Sequence, residues 1–216
     1  MVISSSFSNE QLITAIHNAA EKYNCLTESS YLIIGNNQKP DFLWFQCLFE
    51  KQNFMHLAGL DSPHMYAEEF FEKAVNNELR IQDCRPSRDH GRTMICEKCS
   101  CLADMVDFSN AKYMKIGYKD RATPLVDFTY AYGQSAIIGF RETAANICFP
   151  VTLIPNCIEN YSSTMYRVAF VCKKPASADL YERPFVEAKR NLFDKLFPDF
   201  PPELKNLFAQ KNRPVG

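Results

Sequence analysis

The sequence carries almost no net charge and has no long apolar run. Its formal net charge is -1 over 216 residues, so no overall field attracts nucleic acid or an anionic membrane, and any RNA contact must come from a local patch. No stretch of about 18 apolar residues is present. The N-terminal segment MVISSSFSNEQ lacks the basic and apolar regions of a signal peptide. We therefore expect a cytoplasmic protein with no membrane partner.

The fingerprints of several common enzyme classes are also missing. The chain contains no P-loop, no Rossmann glycine motif, no HExxH and no GxSxG, and nothing in it indicates a cofactor. What it does contain is a hydrophobic share of 46% with 17 Phe and 10 Tyr, a composition typical of a folded core rather than of disorder. We expect one domain over residues 1–180 and a C-terminal helix with a proline-rich tail over residues 181–216.

The first part of the chain predicts a helix and then a hairpin. Ser8 and Gln11 make a capping-box pattern, and the apolar residues that follow have the spacing of one buried helix face. Aromatic and β-branched flanks around the turn sequence GNNQKPD predict a β-hairpin over residues 31–49. A further short apolar piece, residues 54–57, ends at Gly59.

Two more helices precede a series of strands. Ser62 followed by Pro63 predicts a helix over residues 63–76, and apolar spacing predicts another over residues 93–108. The later segments are short, β-rich and separated by turn residues: KYMKIGY, PLVDFTYAY, SAIIGFR, NICFPVT and MYRVAFV. The sequence therefore predicts an α+β fold, with N-terminal helices packed on a mainly antiparallel sheet of about five strands.

Several of these motifs, taken in chain order, resemble a known family. The motifs are a Phe-x-His-Leu-x-Gly step, a helix with adjacent Phe residues, an Ile-Gly strand and a Gly-Phe strand. The matching residues are Phe54, His56, Leu57, Gly59, Phe70, Phe71, Ile116, Gly117, Gly139 and Phe140. Over about residues 10–175 the chain resembles the phage Barnase/EndoU/colicin/RelE-like nuclease 4 family. The resemblance implies an RNase fold of phages and mobile elements, in which the ribose 2'-OH attacks its own phosphate without a metal.

Two departures from the family pattern keep a second hypothesis open. The family has a Thr where this chain has Ala58, and an Asp-Lys pair implied by the resemblance is absent from PLVDFTYAY. Both losses remove groups that would stabilise transition-state charge. The first hypothesis is a metal-independent endoribonuclease of the toxin or effector type that acts on RNA. The second is a catalytically decayed binding module for a protein partner, such as a host factor, an antitoxin or an immunity protein.

Four residues are candidates for catalysis. His56 is the first, because an imidazole exchanges protons near neutral pH; it could equally be a hydrogen-bonded residue at a strand end. Arg141 and Thr143 place a cation and a hydroxyl at the end of the Gly-Phe strand, where they could hold a phosphate or merely close a hairpin with an exposed ion pair. The hydroxyl of Thr129 is the fourth candidate.

Four further residues are candidates for substrate binding: Lys112, Lys115, Tyr130 and Arg92. The two lysines belong to the densest basic run of the chain, and tyrosines interleave with it as stacking surfaces would for single-stranded RNA. This run also includes Lys119 and Arg121, and the other tyrosines are Tyr113, Tyr118 and Tyr132. Alternation along a strand places Lys112 and Lys115 on opposite faces, so a solvated sheet edge is the competing interpretation. Arg92 lies beside His90, where a phosphate contact competes with simple solvation.

The cysteines of the third predicted helix suggest zinc, but their spacing argues against it. Cys96 and Cys99 share a helix face, whereas Cys101 lies about 200° around the helix from Cys99. Three ligands therefore cannot converge unless the helix unwinds. We expect no metal, and we expect free thiols, because the nine cysteines are an odd number in a chain without export signals.

Overall fold

The computed structural model describes residues 8–38, 40–87, 91–118, 127–132, 136–143, 146–155 and 164–209. Within these ranges there are six helices and ten strands. The helices are α1 (Asn9–Asn24), α2 (Lys51–Leu57), α3 (Ala67–Val75), α4 (Arg92–Met105), α5 (Leu192–Leu196) and α6 (Pro202–Lys205). The strands are β1 (Ser29–Gln38), β2 (Asp41–Leu48), β3 (Leu60–Asp61), β4 (Arg85–Pro86), β5 (Met114–Tyr118), β6 (Phe128–Tyr132), β7 (Ala136–Glu142), β8 (Ile147–Pro155), β9 (Met165–Pro175) and β10 (Val186–Glu187).

Helix α1 begins where its capping signal predicts. The Ser8 hydroxyl accepts a hydrogen bond from the Gln11 amide at 3.2 Å, and the Gln11 side chain accepts one from the Ser8 amide at 2.8 Å. Each bond satisfies an amide that the first helical turn leaves without a partner. The buried face then carries Leu12, Ile16 and Tyr23. Both the start and the face of this helix are confirmed.

The segment after the confirmed hairpin differs from expectation. Residues 54–57 belong to α2, in which Phe54 and Leu57 share a buried face three residues apart. His56 is therefore a helical residue and not one at a strand end. The next helix, α3, begins at Ala67 rather than at residue 63, because Ser62 and Pro63 belong to the turn that precedes it.

The prediction of about five strands is wrong. Eight strands form the main sheet, in the order β1-β2-β8-β7-β6-β5-β9-β10, with β1 also paired to β9. Seven of them, all except β10, therefore form a closed ring. All of these pairings are antiparallel except β2–β8, which is parallel and joins Gln46 to Ile147 and Cys47 to Cys148. The hairpin was missed as part of the sheet because its partners lie more than 100 residues away along the chain.

Strands β1 and β9 form a two-stranded antiparallel ribbon, here called the β1–β9 ribbon. Two hydrophobic clusters lie on opposite sides of it. On one side, Tyr31 and Ile33 face a large core shared with α1, α2, α3 and α4. On the other side, Leu32 and Ile34 face a smaller core rich in phenylalanine. The C-terminal segment supplies most of this second core, with Tyr181, Phe193, Leu196, Phe197, Phe200, Leu204 and Phe208. Within the described ranges, none of the helices combines the length and apolar character needed to cross a membrane.

Candidate functional site

His56 projects into solvent from α2. The helix turns Phe54 and Leu57 into the core and packs against β8 and α3, while the His56 side chain is exposed. The His56 side chain forms no hydrogen bond or ion pair with Arg141 or with any other described residue. The imidazole is therefore accessible, but no described group orients it or joins it to the other candidate residues.

Arg141 and Thr143 lie at the end of β7, where the strand turns into β8. Phe140 faces the core, and Arg141 points to the opposite face of the sheet because side chains alternate along a strand. The Thr143 hydroxyl and amide both donate to the Ile147 carbonyl, each at 3.0 Å. Thr143 therefore closes the β7–β8 turn.

Thr129 and Tyr130 are both buried, on opposite faces of β6. The Thr129 hydroxyl donates to the Gly117 carbonyl at 3.3 Å, and only 1% of the residue is exposed. The Tyr130 ring lies in the main core, where its hydroxyl contacts the Met114 sulfur. Neither side chain reaches the surface. The Tyr130 ring is therefore not available to stack on a base, and the Thr129 hydroxyl does not open onto a cleft.

The predicted basic groups are dispersed. Lys112 lies in a 3₁₀ turn over residues 108–113, with its amine 4.8 Å from the centre of the Tyr113 ring. Arg92 is exposed at the first position of α4. His90, Lys119 and Arg121 lie outside the described residues, as does the side chain of Tyr132.

Lys115 has a neighbour that the sequence did not reveal. On the adjacent strand β9, Arg167 lies directly opposite Lys115 in the antiparallel register. Met114 and Ile116 face the core, so Lys115 points away from the helices, and both cations are exposed. Among the described residues, neither of the two side chains forms a hydrogen bond or an ion pair. Like charges directly opposite each other destabilise a sheet, so the opposition of these two cations is a local cost that a bound anion would remove.

Arg167 also lines a polar cleft of about 630 Å³ with Asn37, Gln38 and Asp41. The cleft lies at the β1–β2 turn, because Asn36 of β1 pairs with Arg167. The Asp41 carboxylate accepts a hydrogen bond from the Tyr166 hydroxyl at 3.1 Å. Desolvation by burial, together with the Asp41 carboxylate, raises the pKa of Tyr166, so this phenol stays a donor.

Two members of this site, Arg167 and Asp41, were not among the sequence candidates. Alternation in MYRVAFV does place Arg167 on the polar side of its strand. No local pattern, however, pairs that strand with β5. The pairing that joins Lys115, Arg167 and the β1–β2 turn is long-range, which is why the sequence alone did not assemble it.

Seven of the eight cysteines in the described ranges lie in or against the two cores, and Cys25 is exposed. Cys99 is fully buried in the α4 face that packs on the main cluster. Desolvation raises the pKa of Cys84 to about 11 and that of Cys148 to about 12, which keeps both thiols protonated. Over the part of the chain that the structure describes, no group of three or more His, Cys, Asp or Glu side chains is arranged to hold a metal ion.

Comparison with protein families gives a match over most of the chain. The family model described as PBECR4, phage-Barnase-EndoU-ColicinE5/D-RelE like nuclease4, matches residues 15–189. No curated protein and no solved structure matches the chain. The matched range begins within α1, ends just after β10, and includes Lys115, Arg167 and Asp41.

Proposed function

Because the chain belongs to the PBECR4 family of phage-Barnase-EndoU-ColicinE5/D-RelE like nucleases, we propose that it is a metal-independent endoribonuclease that binds an RNA phosphate between Lys115 and Arg167. The observation that carries the proposal is the direct opposition of these two exposed cations, with no acidic partner in the described residues. A phosphate bound there accepts hydrogen bonds from both side chains and cancels their repulsion.

The chemistry follows from the groups around the pair. Asp41 lines the same cleft as Arg167 and can act as the base that removes the proton of the ribose 2'-OH. The 2'-oxygen then bonds to phosphorus as the bond to the 5'-oxygen breaks. The Lys115 ammonium can give the leaving oxygen its proton, and Arg167 stabilises the charge on the phosphoryl oxygens. The products are a 2',3'-cyclic phosphate and a free 5'-hydroxyl.

His56 is the competing acid or base. It is exposed, and an imidazole exchanges protons near neutral pH, but no described contact links it to the cation pair. A cation pair that no described contact joins to an imidazole also fits a second candidate function, in which the same surface binds RNA or an acidic protein partner without cleaving it.

The two candidates are separated by a cleavage assay in EDTA. Purified protein is incubated with tRNA and total RNA, and the new 3' ends are tested for cyclic phosphate. We expect Lys115→Gln or Arg167→Gln to slow cleavage by about 10²–10³-fold, and Asp41→Asn by about 10²–10⁴-fold. Lys22→Gln, which replaces an exposed lysine in the last turn of α1, is the matched control.

The outcomes discriminate clearly. Cleavage that survives Arg167→Gln unchanged contradicts the site. Cleavage that is lost only in His56→Ala moves the chemistry to α2. No cleavage by the folded wild-type protein, with RNA binding that depends on Arg167, supports the binding module instead.

A further inference from the structure

A second cleft lies at the other end of the β1–β9 ribbon. Its volume is about 630 Å³, and it shares no residue with the cleft at Arg167. The ends of β1 and β9 form one wall, and the segment over residues 178–185 forms the other. The residues that line it are Glu28, Ser29, Lys173, Lys174, Pro175, Ala178, Leu180, Glu182, Arg183 and Phe185.

Phe185 presents a supported ring to this cleft. The residue is 51% exposed, yet its backbone is fixed, because its amide donates to the Val171 carbonyl at 3.2 Å. Behind it, the buried rings of Tyr31 and Phe108 make edge-to-face contacts at centroid distances of 6.3 Å and 6.1 Å. A ring that is held from behind and open in front is a platform on which a planar group can stack.

Of the three basic side chains around the ring, two already have a hydrogen-bond or ion-pair partner. Arg183 is ion-paired with Asp194 at 2.6 Å, and Lys174 donates to the Asp179 carbonyl at 2.9 Å. Lys173 is exposed; its amine lies 5.9 Å from the centre of the Tyr31 ring, and no described carboxylate pairs with it. Lys173 is therefore the cation of this cleft that remains available to an anionic ligand.

We propose that this cleft binds one nucleotide of a single-stranded RNA, with the base stacked on Phe185 and a phosphate at Lys173. The Glu28 carboxylate at the rim can accept hydrogen bonds from the amino or imino groups of the base. An open aromatic ring, a cation and a carboxylate within one cleft complement a nucleotide better than a purely anionic or purely apolar ligand. Stacking on aromatic rings beside cations is how proteins hold single strands.

This inference rests on the proposed function only in taking RNA as the ligand. Arg167 and Lys173 are both on β9, and 173 minus 167 is six residues, or about 20 Å along a strand. The two clefts would therefore contact different nucleotides. The second cleft contributes to binding and contains none of the residues assigned to bond cleavage.

The test measures binding rather than cleavage. Fluorescence anisotropy is recorded with a labelled 2'-O-methyl oligonucleotide, which has no 2'-OH and cannot be cut, as a single strand and as a duplex. We expect Phe185→Ala to weaken single-strand binding by about 5- to 50-fold, and Phe185→Trp to retain it. Tyr66→Ala removes a ring that is 88% exposed elsewhere on the surface and should change nothing.

Lys173 gives a second, independent readout. A phosphate contact adds about 0.7 to the slope of log affinity against log salt for a single strand. Lys173→Gln should lower that slope by about this amount, whereas Lys22→Gln, which replaces an exposed lysine in the last turn of α1, should leave it unchanged. Thermal unfolding of each variant identifies any loss of affinity that comes from loss of folding.

Two results would overturn the inference: no binding of the single strand by the wild-type protein, or equal affinity in the wild type and in folded Phe185→Ala. Failure of the proposed function looks different. If the wild type does not cleave RNA but binds it through Phe185, only the nuclease proposal fails. If it cleaves RNA while Phe185→Ala binds normally, only the second cleft fails.

Discussion

The opposed cations make an unusual prediction: removing one of them should stabilise the protein. Arg167→Gln keeps a long polar side chain on β9 and abolishes the repulsion from Lys115. We take this repulsion to equal in size the attraction between opposite charges at the same positions, about 0.2–1 kcal/mol. In a chain of 216 residues this raises Tm by about 0.5–4 °C. The same substitution should weaken RNA binding, so stability and function should move in opposite directions.

Thermal unfolding at low and high salt provides the assay. At about 1 M salt the screening length falls to about 3 Å, so the gain in Tm should nearly vanish. In a double-mutant cycle, Lys115→Gln should stabilise the wild type but add nothing once Arg167 has been replaced. The control is Lys112→Gln, which removes a contact between an amine and a tyrosine ring and no repulsion; it should not raise Tm.

A fall in Tm for Arg167→Gln would refute this reasoning, because it would show that the guanidinium supports the fold. A gain that is the same at both salt concentrations would also refute it. In that case the benefit would come from the side chain's packing or entropy, and the anion-binding interpretation of the pair would lose its physical basis.

The remaining predictions concern stability. In Gly35→Ala the new methyl group would lie 2.7 Å from the Tyr166 Cβ and 2.8 Å from the Ile116 Cγ1; we expect a loss of about 1–3 kcal/mol in urea unfolding, and an unchanged midpoint would contradict this crowding. Burial raises the pKa of the Cys84 thiol to about 11 and that of Cys148 to about 12, from an ordinary value of 9.0. Above that ordinary value the unfolded chain loses protons that the folded chain keeps, so the stability from these thiols is complete below pH 9.0 and is lost as pH rises toward about 11–12. Urea midpoints across this alkaline range measure the loss, and a smaller decline in a Cys84→Ala variant would assign part of it to that thiol.

Local signals in the sequence predicted local structure well. The Ser8 and Gln11 side chains act only on the first turn of the adjoining helix, so their pattern was enough to locate its start. Thr129 and Tyr130 show where such reasoning ends. They are neighbours in an alternating strand and necessarily face opposite sides of the sheet, and the sequence does not reveal that both sides are covered.

The site depended on pairings that the sequence does not encode locally. Lys115 was recognised as part of a basic run, but its partner Arg167 is 52 residues further along the chain, since 167 minus 115 is 52. Asp41 enters only because β1 pairs with β9 and brings the β1–β2 turn beside Arg167. Strand β9 pairs with β1 along one edge and with β5, which carries Lys115, along the other. The assembled cleft therefore follows from closure of the ring.

The two-sided burial of the β1–β9 ribbon has a consequence for synthesis on the ribosome. Strand β1 is synthesised early, with Leu32 and Ile34 on one face and Ile33 on the other. The hairpin alone can cover neither face. The second edge of β1 stays unpaired until β9 has been synthesised, and the face with Leu32 and Ile34 stays uncovered until the chain has been translated as far as Phe208. A nascent chain in that interval exposes a strand with one unpaired edge and two apolar faces, the kind of surface that aggregates and that chaperones bind.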